Sequence, residues 1–321
     1  MIFSNKVCEM YTARLGSRLD PDGFVFYFSA DDFPGLKYDP IAFKNTKGDT
    51  LKGYVYSYPN PIDDRIVVFD HGMGAGHRAY MSEINKLAEH GYRVVAYDHT
   101  GCAESDGNGI LGFSGSLADL DCVITAVKSS AEYSNCKITV MGHSWGAFST
   151  LNITALHPDV ESFVAMSGFI SVKSMQKEKI GGILSLWLND IYSLEKRLNP
   201  NHYSYSALDT LASTRSRGLI IHSVDDPVVS YKRNFVPLEK ACSNKENLTF
   251  ITLNFKRHSP NYTVDAVRYK DEYFASLGKL RKKHKHITES DKKAFVNLYD
   301  WRKMTEQDEK TWQKIFDHID R

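Results

Sequence analysis

Lys137-Ile138-Thr139-Val140-Met141-Gly142-His143-Ser144-Trp145-Gly146-Ala147 is the stretch from which the fold can be read. A β-branched, apolar run leads straight into the pattern G-x-S-x-G, and a helix-forming stretch follows. That is the strand-to-helix setting in which a serine is held out as a nucleophile. So sharp a turn forces the serine into a strained backbone conformation. Gly142 and Gly146 remove the side chains that would clash there. The Ser144 hydroxyl is expected at the top of a sheet, over a helix N-terminus that favours negative charge. The competing reading is a tight turn carrying an inert serine.

Outward from this stretch, strands and helices alternate. Residues 41–44 and 51–58 flank a Lys47-Gly48-Asp49 turn and read as a hairpin. Short apolar runs at 65–69, 92–97, 137–141, 161–166, 219–222 and 248–255 read as buried strands. Helices are expected at 79–90, ended by Gly91, at 116–130, and after Ser144. The alternation predicts an α/β fold: a mostly parallel sheet of about eight strands, covered by helices on both faces, with an antiparallel edge from the hairpin. Residues 171–214 are too many for a simple crossover and are apolar and aromatic, with Tyr192, Tyr203 and Tyr205. They predict a helical cap over the site. The chain then divides into an N-terminal extension at 1–39, a core at 40–170 and 215–280, the cap, and a C-terminal helical extension at 281–321. In that extension, Trp312, Ile315 and Phe316 fall near helical spacing and predict a docked terminal helix over 305–319.

Of the 321 residues, 42% are apolar, and the formal net charge is +1. This balance favours neither nucleic acid nor an anionic membrane as partner. The basic run Arg281-Lys282-Lys283-His284-Lys285-His286 reads as a solvated helix end. The N-terminus lacks a long apolar segment of the secretory type, and no run is long enough to span a bilayer. The five cysteines are scattered without metal-ligand spacing, which predicts reduced thiols and a cytoplasmic protein. Cys102 lies in a polar loop, where exposure is expected.

A serine hydroxyl needs a base within hydrogen-bond reach, and the base needs an orienting carboxylate. The strand at 219–222 runs into Ser223-Val224-Asp225-Asp226-Pro227. Asp226 is the preferred acid and Asp225 the alternative. After the last strand comes Lys256-Arg257-His258-Ser259-Pro260, and His258 is the expected base. The remaining downstream histidines, His284, His286 and His318, lie in the basic run or near the terminus. Two backbone N–H groups are needed to hold an oxyanion: Trp145, next to the serine, and Met73, in the loop His71-Gly72-Met73-Gly74-Ala75-Gly76. A rival reading takes Gly74-Ala75-Gly76-His77-Arg78-Ala79 with Asp98 as a dinucleotide fingerprint. It leaves Ser144, Asp226 and His258 without a joint explanation.

His71-Gly72-Met73-Gly74, then Asp98-His99-Thr100-Gly101-Cys102-Ala103-Glu104-Ser105-Asp106-Gly107, then Gly142-His143-Ser144-Trp145-Gly146 resemble the α/β-hydrolase superfamily. Within it they are most similar to the monoacylglycerol lipase, lysophospholipase and serine aminopeptidase-like branch. The resemblance spans about residues 41–280. It implies that Asp98 and Ser105 shape the loop beside the site rather than react. Ser223 departs from the glycine common in the turn before the acid. The expected activity is hydrolysis of a small-molecule carboxylic ester, acyl or aryl, through an acyl-enzyme, with neither metal nor organic cofactor required. Peptidase, amidase, thioesterase and acyltransferase chemistry can use the same three residues, and a non-catalytic binding module can use the same fold. Chain length of the substrate and oligomeric state are not written in these motifs.

Overall fold

Strands β1 (Lys37–Lys44), β2 (Thr50–Ser57), β3 (Arg65–Asp70), β4 (Arg93–Tyr97), β5 (Lys137–His143), β6 (Ser162–Met166), β7 (Arg217–Ser223) and β8 (Leu248–Leu253) form one sheet in the order β1-β2-β4-β3-β5-β6-β7-β8. This is the architecture of a computed structural model that describes residues 9, 11, 13, 16–74, 76–180, 182–284 and 286–321 (backbone only at 182–184). Strands β3 to β8 run parallel, and β2 joins them antiparallel through β4. This is the α/β-hydrolase fold expected from the motifs.

Successive side chains of a strand point to opposite faces, and both faces here are buried. Ile66, Val68, Val95, Ile138 and Val140 pack on one face against helices Gly115–Ser129 and Trp145–Asn152. Val67, Phe69, Val94 and Met141 pack on the other, against helices Met81–Glu89 and Glu309–Ile319. That two-sided burial explains why β3, β4 and β5 are nearly continuous apolar runs.

β1 begins at Lys37, four residues before the expected start, and runs through Pro40. A proline lacks an N–H to donate, but β1 pairs only with β2, so its outer edge needs no donor. The terminal helix starts at Glu309 rather than at 305, because the Asp308 side chain accepts the N–H groups of Lys310 and Thr311 and caps it there.

Between β6 and β7 lie the helices Val172–Lys179, Leu188–Leu198 and Ala207–Ser213. Ser171 and Ser206 form an antiparallel bridge at their base. On the N-terminal side, Arg18 donates to the carbonyls of Ala103 (2.7 Å), Ser105 (3.0 Å) and Gly107 (2.7 Å). Leu19 bridges to Cys102. This contact corrects the expectation for Cys102, which is fully buried beneath the N-terminal segment. Among the described residues, no helix is long and apolar enough to cross a membrane.

Candidate active site

Ser144 directly follows β5 and caps helix Trp145–Asn152 with φ 57° and ψ −109°. That is the strained conformation the turn demands, in a region L-residues seldom occupy. Its amide donates to Met166 O at 2.8 Å, and its carbonyl accepts from Phe148 N at 3.1 Å, so neighbouring backbone holds the strain. A Cβ on Gly146 would sit 2.0 Å from Asp70 O, and one on Gly142 would sit 2.4 Å from Thr150 Oγ1. Both glycines of the motif are therefore demanded by close approach of neighbouring groups.

His258 follows β8 in a loop where Phe255 (φ 61°) and Arg257 (φ 47°) are both left-handed. Its ring spans two partners: Nε2 lies 2.8 Å from Ser144 Oγ and Nδ1 lies 2.7 Å from Asp226 Oδ2. With the carboxylate accepting from Nδ1–H, Nε2 is left to accept the serine hydroxyl proton. Asp226 Oδ1 accepts the amides of Val228 (2.8 Å) and Val229 (2.9 Å), and Oδ2 also lies 3.2 Å from His222 Nε2. Burial alone would raise the Asp226 pKa. The hydrogen bonds from His222 and His258, the charge on His258 and the Val229 amide outweigh it, holding the group well below the usual carboxylate range. Asp225 does not reach His258; it accepts from Ser223 Oγ and from Arg257 N. The Ser223 substitution is thus absorbed by Asp225, and Asp226 is the carboxylate that meets the histidine.

Met73 and Trp145 share a cavity wall with Ser144. The loop carrying Met73 is tied to the rest of the site through His143. His143 Nε2 donates to His258 O at 2.6 Å, and its Nδ1 accepts from the Tyr80 hydroxyl at 2.9 Å. Tyr80 oxygen in turn accepts Gly72 N–H at 3.1 Å. Burial, then the neighbouring His258, push the His143 pKa well below the ordinary histidine value, so the neutral ring this chain requires is the favoured form. Trp145 is held from its other side: its indole N–H donates to Phe113 O at 2.6 Å, and its ring lies 4.7 Å from that of His99. His99 sits 2.9 Å from Asp70 and 3.4 Å from Asp119. Burial would lower its pKa, but the neighbouring Asp70 and Asp119 outweigh it and raise it to about 10.

Ser144 opens into a cavity of about 430 Å³. Phe113 and Phe169 line it from the core, Met175, Gln176, Lys179 and Ile180 from helix Val172–Lys179 and its end, Val228 from the acid loop and Tyr11 from the N-terminal segment. Tyr192, Tyr203 and Tyr205 do not line it. Tyr192 and Tyr203 pack on each other at 5.3 Å, and Tyr205 packs on the core. The dinucleotide alternative has no room: Asp98 accepts from His77 N and Nδ1 (2.7 Å each) and from Glu104 N (3.0 Å), and a Cβ on Gly76 would meet it at 2.3 Å. Asp98 and Ser105 instead lock the loop beside the site, Ser105 Oγ donating to Asp98 O at 2.6 Å. Among the described residues, no group of three or more His, Cys, Asp or Glu side chains could hold a metal ion.

The structure brings the sequence-selected Ser144, Asp226 and His258 into one hydrogen-bonded chain and sets Met73 and Trp145 on the cavity wall beside Ser144. Sequence reading did not single out His222, at the end of β7 and four residues before Asp226. It also did not single out His143 and Tyr80, which tie the Met73 loop to the His258 loop, or Gln176 and Tyr11 in the cavity wall; their partners lie far away in the chain and leave no local signature.

The chain matches the protein family described as serine aminopeptidase, S33, over residues 62–233, more than half its length. It is 31% identical over 112 residues to a provisionally assigned carbamate hydrolase, RutD, of Serratia proteamaculans, across 35% of this chain and 40% of that protein. The chain thus spans about two fifths of the length of that curated relative. Among solved structures it is similar to the esterase Pf2001 of Pyrococcus furiosus, with a TM-score of 0.60 at 19% identity over 83% of this chain and 98% of the other. It is also similar to Est1E of Butyrivibrio proteoclasticus, solved with ferulic acid bound, with a TM-score of 0.55 at 17% identity over 73% of this chain and 98% of the other. At such identities the structural likeness is one of fold.

Proposed function

This chain belongs to the serine aminopeptidase S33 family, and on that premise we propose that it is a serine hydrolase that cleaves carboxylic esters through an acyl-enzyme. The observation that carries the reading is the unbroken hydrogen-bond chain from Asp226 through His258 to Ser144, ending at an apolar cavity. Ser144 Oγ attacks the acyl carbon while His258 Nε2 takes its proton; the same proton passes to the departing alkoxide. Water then attacks the acyl-serine, gives a proton to His258, and the carboxylic acid leaves as Ser144 is restored. Asp226 orients His258 and stabilises its imidazolium form. The amides of Met73 and Trp145 hold the oxyanion. The cap excludes water and binds the acyl or aryl group.

The family's description favours a second reading, removal of an amino-terminal residue from a peptide. An α-ammonium group would need an acidic partner, and the only charged residue lining the cavity, among the described residues, is Lys179. That lining supports esters of uncharged or anionic acyl groups instead. Cytoplasmic residence fits the free thiols of Cys102, Cys122, Cys136 and Cys242. Hydrolysis of p-nitrophenyl esters from acetyl to palmitoyl, wild type beside Ser144→Ala, tests the proposal. Activity lost in the variant supports it. Wild-type rates in a folded Ser144→Ala protein would overturn it. Adding acceptor alcohols and analysing products separates hydrolysis from acyl transfer.

A further inference from the structure

The cap helix Val172–Lys179 carries a buried polar group that the ester chemistry does not use. Gln176 is 1% exposed, lines the cavity that holds Ser144, and its Oε1 has no hydrogen-bond partner among the described residues. Buried amide oxygens are normally satisfied, so an orphan at the edge of a substrate cavity calls for a ligand.

The orientation of the amide is set by its neighbours. Glu195, a fully buried carboxylate, accepts from Phe113 N (2.7 Å), from Ser114 N (3.2 Å) and Ser114 Oγ (2.7 Å), and from the Tyr11 hydroxyl (2.5 Å). Tyr11 has one hydroxyl hydrogen, and Glu195 takes it. Its oxygen can then only accept, and it accepts from Gln176 Nε2 at 3.0 Å. A flipped amide would set its carbonyl against that lone pair. The chain Glu195–Tyr11–Gln176 therefore leaves the oxygen, not the nitrogen, of Gln176 unpaired. Apart from Ser144, Tyr11 and Lys179, whose ammonium donates to Val228 O, the rest of the wall offers apolar carbon, with Phe113, Phe169, Met175, Ile180 and Val228.

We propose that Gln176 is a specificity-determining residue that selects an acyl group bearing an N–H or O–H donor along an otherwise apolar chain. The proposal rests on the ester-hydrolase reading and names its substrate class. Both an amide within the acyl chain and a hydroxyl on it carry the required donor.

The test uses p-nitrophenyl esters of N-acetylglycine, N-acetyl-β-alanine and γ-(acetylamino)butyrate, each against its N-methyl counterpart. A second arm sets hexanoate against its ω-hydroxy derivative. At the matching length, wild type is expected to favour the donor-bearing ester by about 10- to 100-fold in kcat/KM. In Gln176→Leu that ratio is expected to collapse to within about threefold. A purely steric penalty on the N-methyl group would survive this change. Tyr11→Phe frees the amide to flip, and its ratio is expected to fall partway; it serves if Gln176→Leu does not fold. An advantage confined to the amide arm assigns an amide-bearing acyl group, and one confined to the hydroxyl arm assigns a hydroxyacyl group. Ser144-dependent hydrolysis without donor preference at any length, or a preference that persists in Gln176→Leu, overturns the proposal and leaves the ester hydrolase standing. Absence of Ser144-dependent hydrolysis of every ester overturns both.

Discussion

Ser144 owes its reach to its backbone. With φ at 57°, the residue projects its hydroxyl toward His258 while its amide stays bonded to Met166. The close packing around the turn makes Gly146 the most sensitive position near it. Gly146→Ala would drive a Cβ to 2.0 Å from a backbone oxygen of β3, which cannot swing aside. We expect a loss of about 3 kcal/mol in urea unfolding, with activity abolished. The acid loop separates two neighbouring carboxylates by their partners. Asp226→Asn should lower kcat about a thousandfold to ten-thousandfold, because the amide cannot hold the productive tautomer of His258. Asp225→Asn should stay within about threefold of wild type, since among the described residues Asp225 bonds Ser223 and Arg257 and not His258. Steady-state kinetics of the two variants side by side checks the assignment. Equal losses would contradict it.

At the scale of elements, the central strands β3 to β7 could be read from the chain because burial on both faces leaves mostly apolar, β-branched residues, whereas β8, at the sheet edge, keeps Thr249 and Thr252 exposed and was read from its Phe250-Ile251 centre and its place in the series. The elbow, acid and histidine were legible because each follows the end of such a strand. What escaped reading is polar and buried, and is completed by distant segments. Glu195 in helix Leu188–Leu198 binds the loop at 113–114, and Asp308, at the start of the terminal helix, binds Lys256, two residues before His258. Neither contact has a periodic signature; each is only a charged residue until the fold brings its partner. The Asp308 contact adds to backbone pairing of Thr263 N with Glu306 O (2.9 Å) and Asp308 N with Asn261 O (2.7 Å). The C-terminal extension is thereby stapled to the histidine loop. Asp308→Ala leaves a buried ammonium without its counter-charge and removes a helix cap. Its expected cost is about 3 kcal/mol by urea unfolding. A fall in kcat without a rise in KM would place the damage at the His258 loop. A change below about 0.5 kcal/mol would mean the staple carries no weight.

For the whole molecule, both faces of the sheet must stay covered, and the terminal helix Glu309–Ile319 covers much of one. His318 lies on it, buried, with no hydrogen-bond partner for Nε2 among the described residues. Burial, then the nearby Arg217 charge, lower its pKa to about 4. An unfolded chain takes up that proton near pH 6.5. Between these values the unfolded state binds more protons, so stability falls as pH drops from about 6.5 and this group's effect ends below about 4. The full span corresponds to ~3 kcal/mol at most. Urea unfolding at pH 7.5 and 4.5 should show a loss of about 2 kcal/mol in wild type beyond that of His318→Gln. Identical losses in the two proteins would show that the terminal helix is not the acid-sensitive part of the fold.

The measurement closest to the central claim is covalent trapping by a fluorophosphonate, read by intact mass and peptide mapping. We predict one adduct per chain, located on Ser144, formed rapidly by wild type, slowly by Asp226→Asn, and not at all by folded Ser144→Ala. An adduct on another residue, or none in folded wild type, would contradict a nucleophilic Ser144 and with it the hydrolase mechanism.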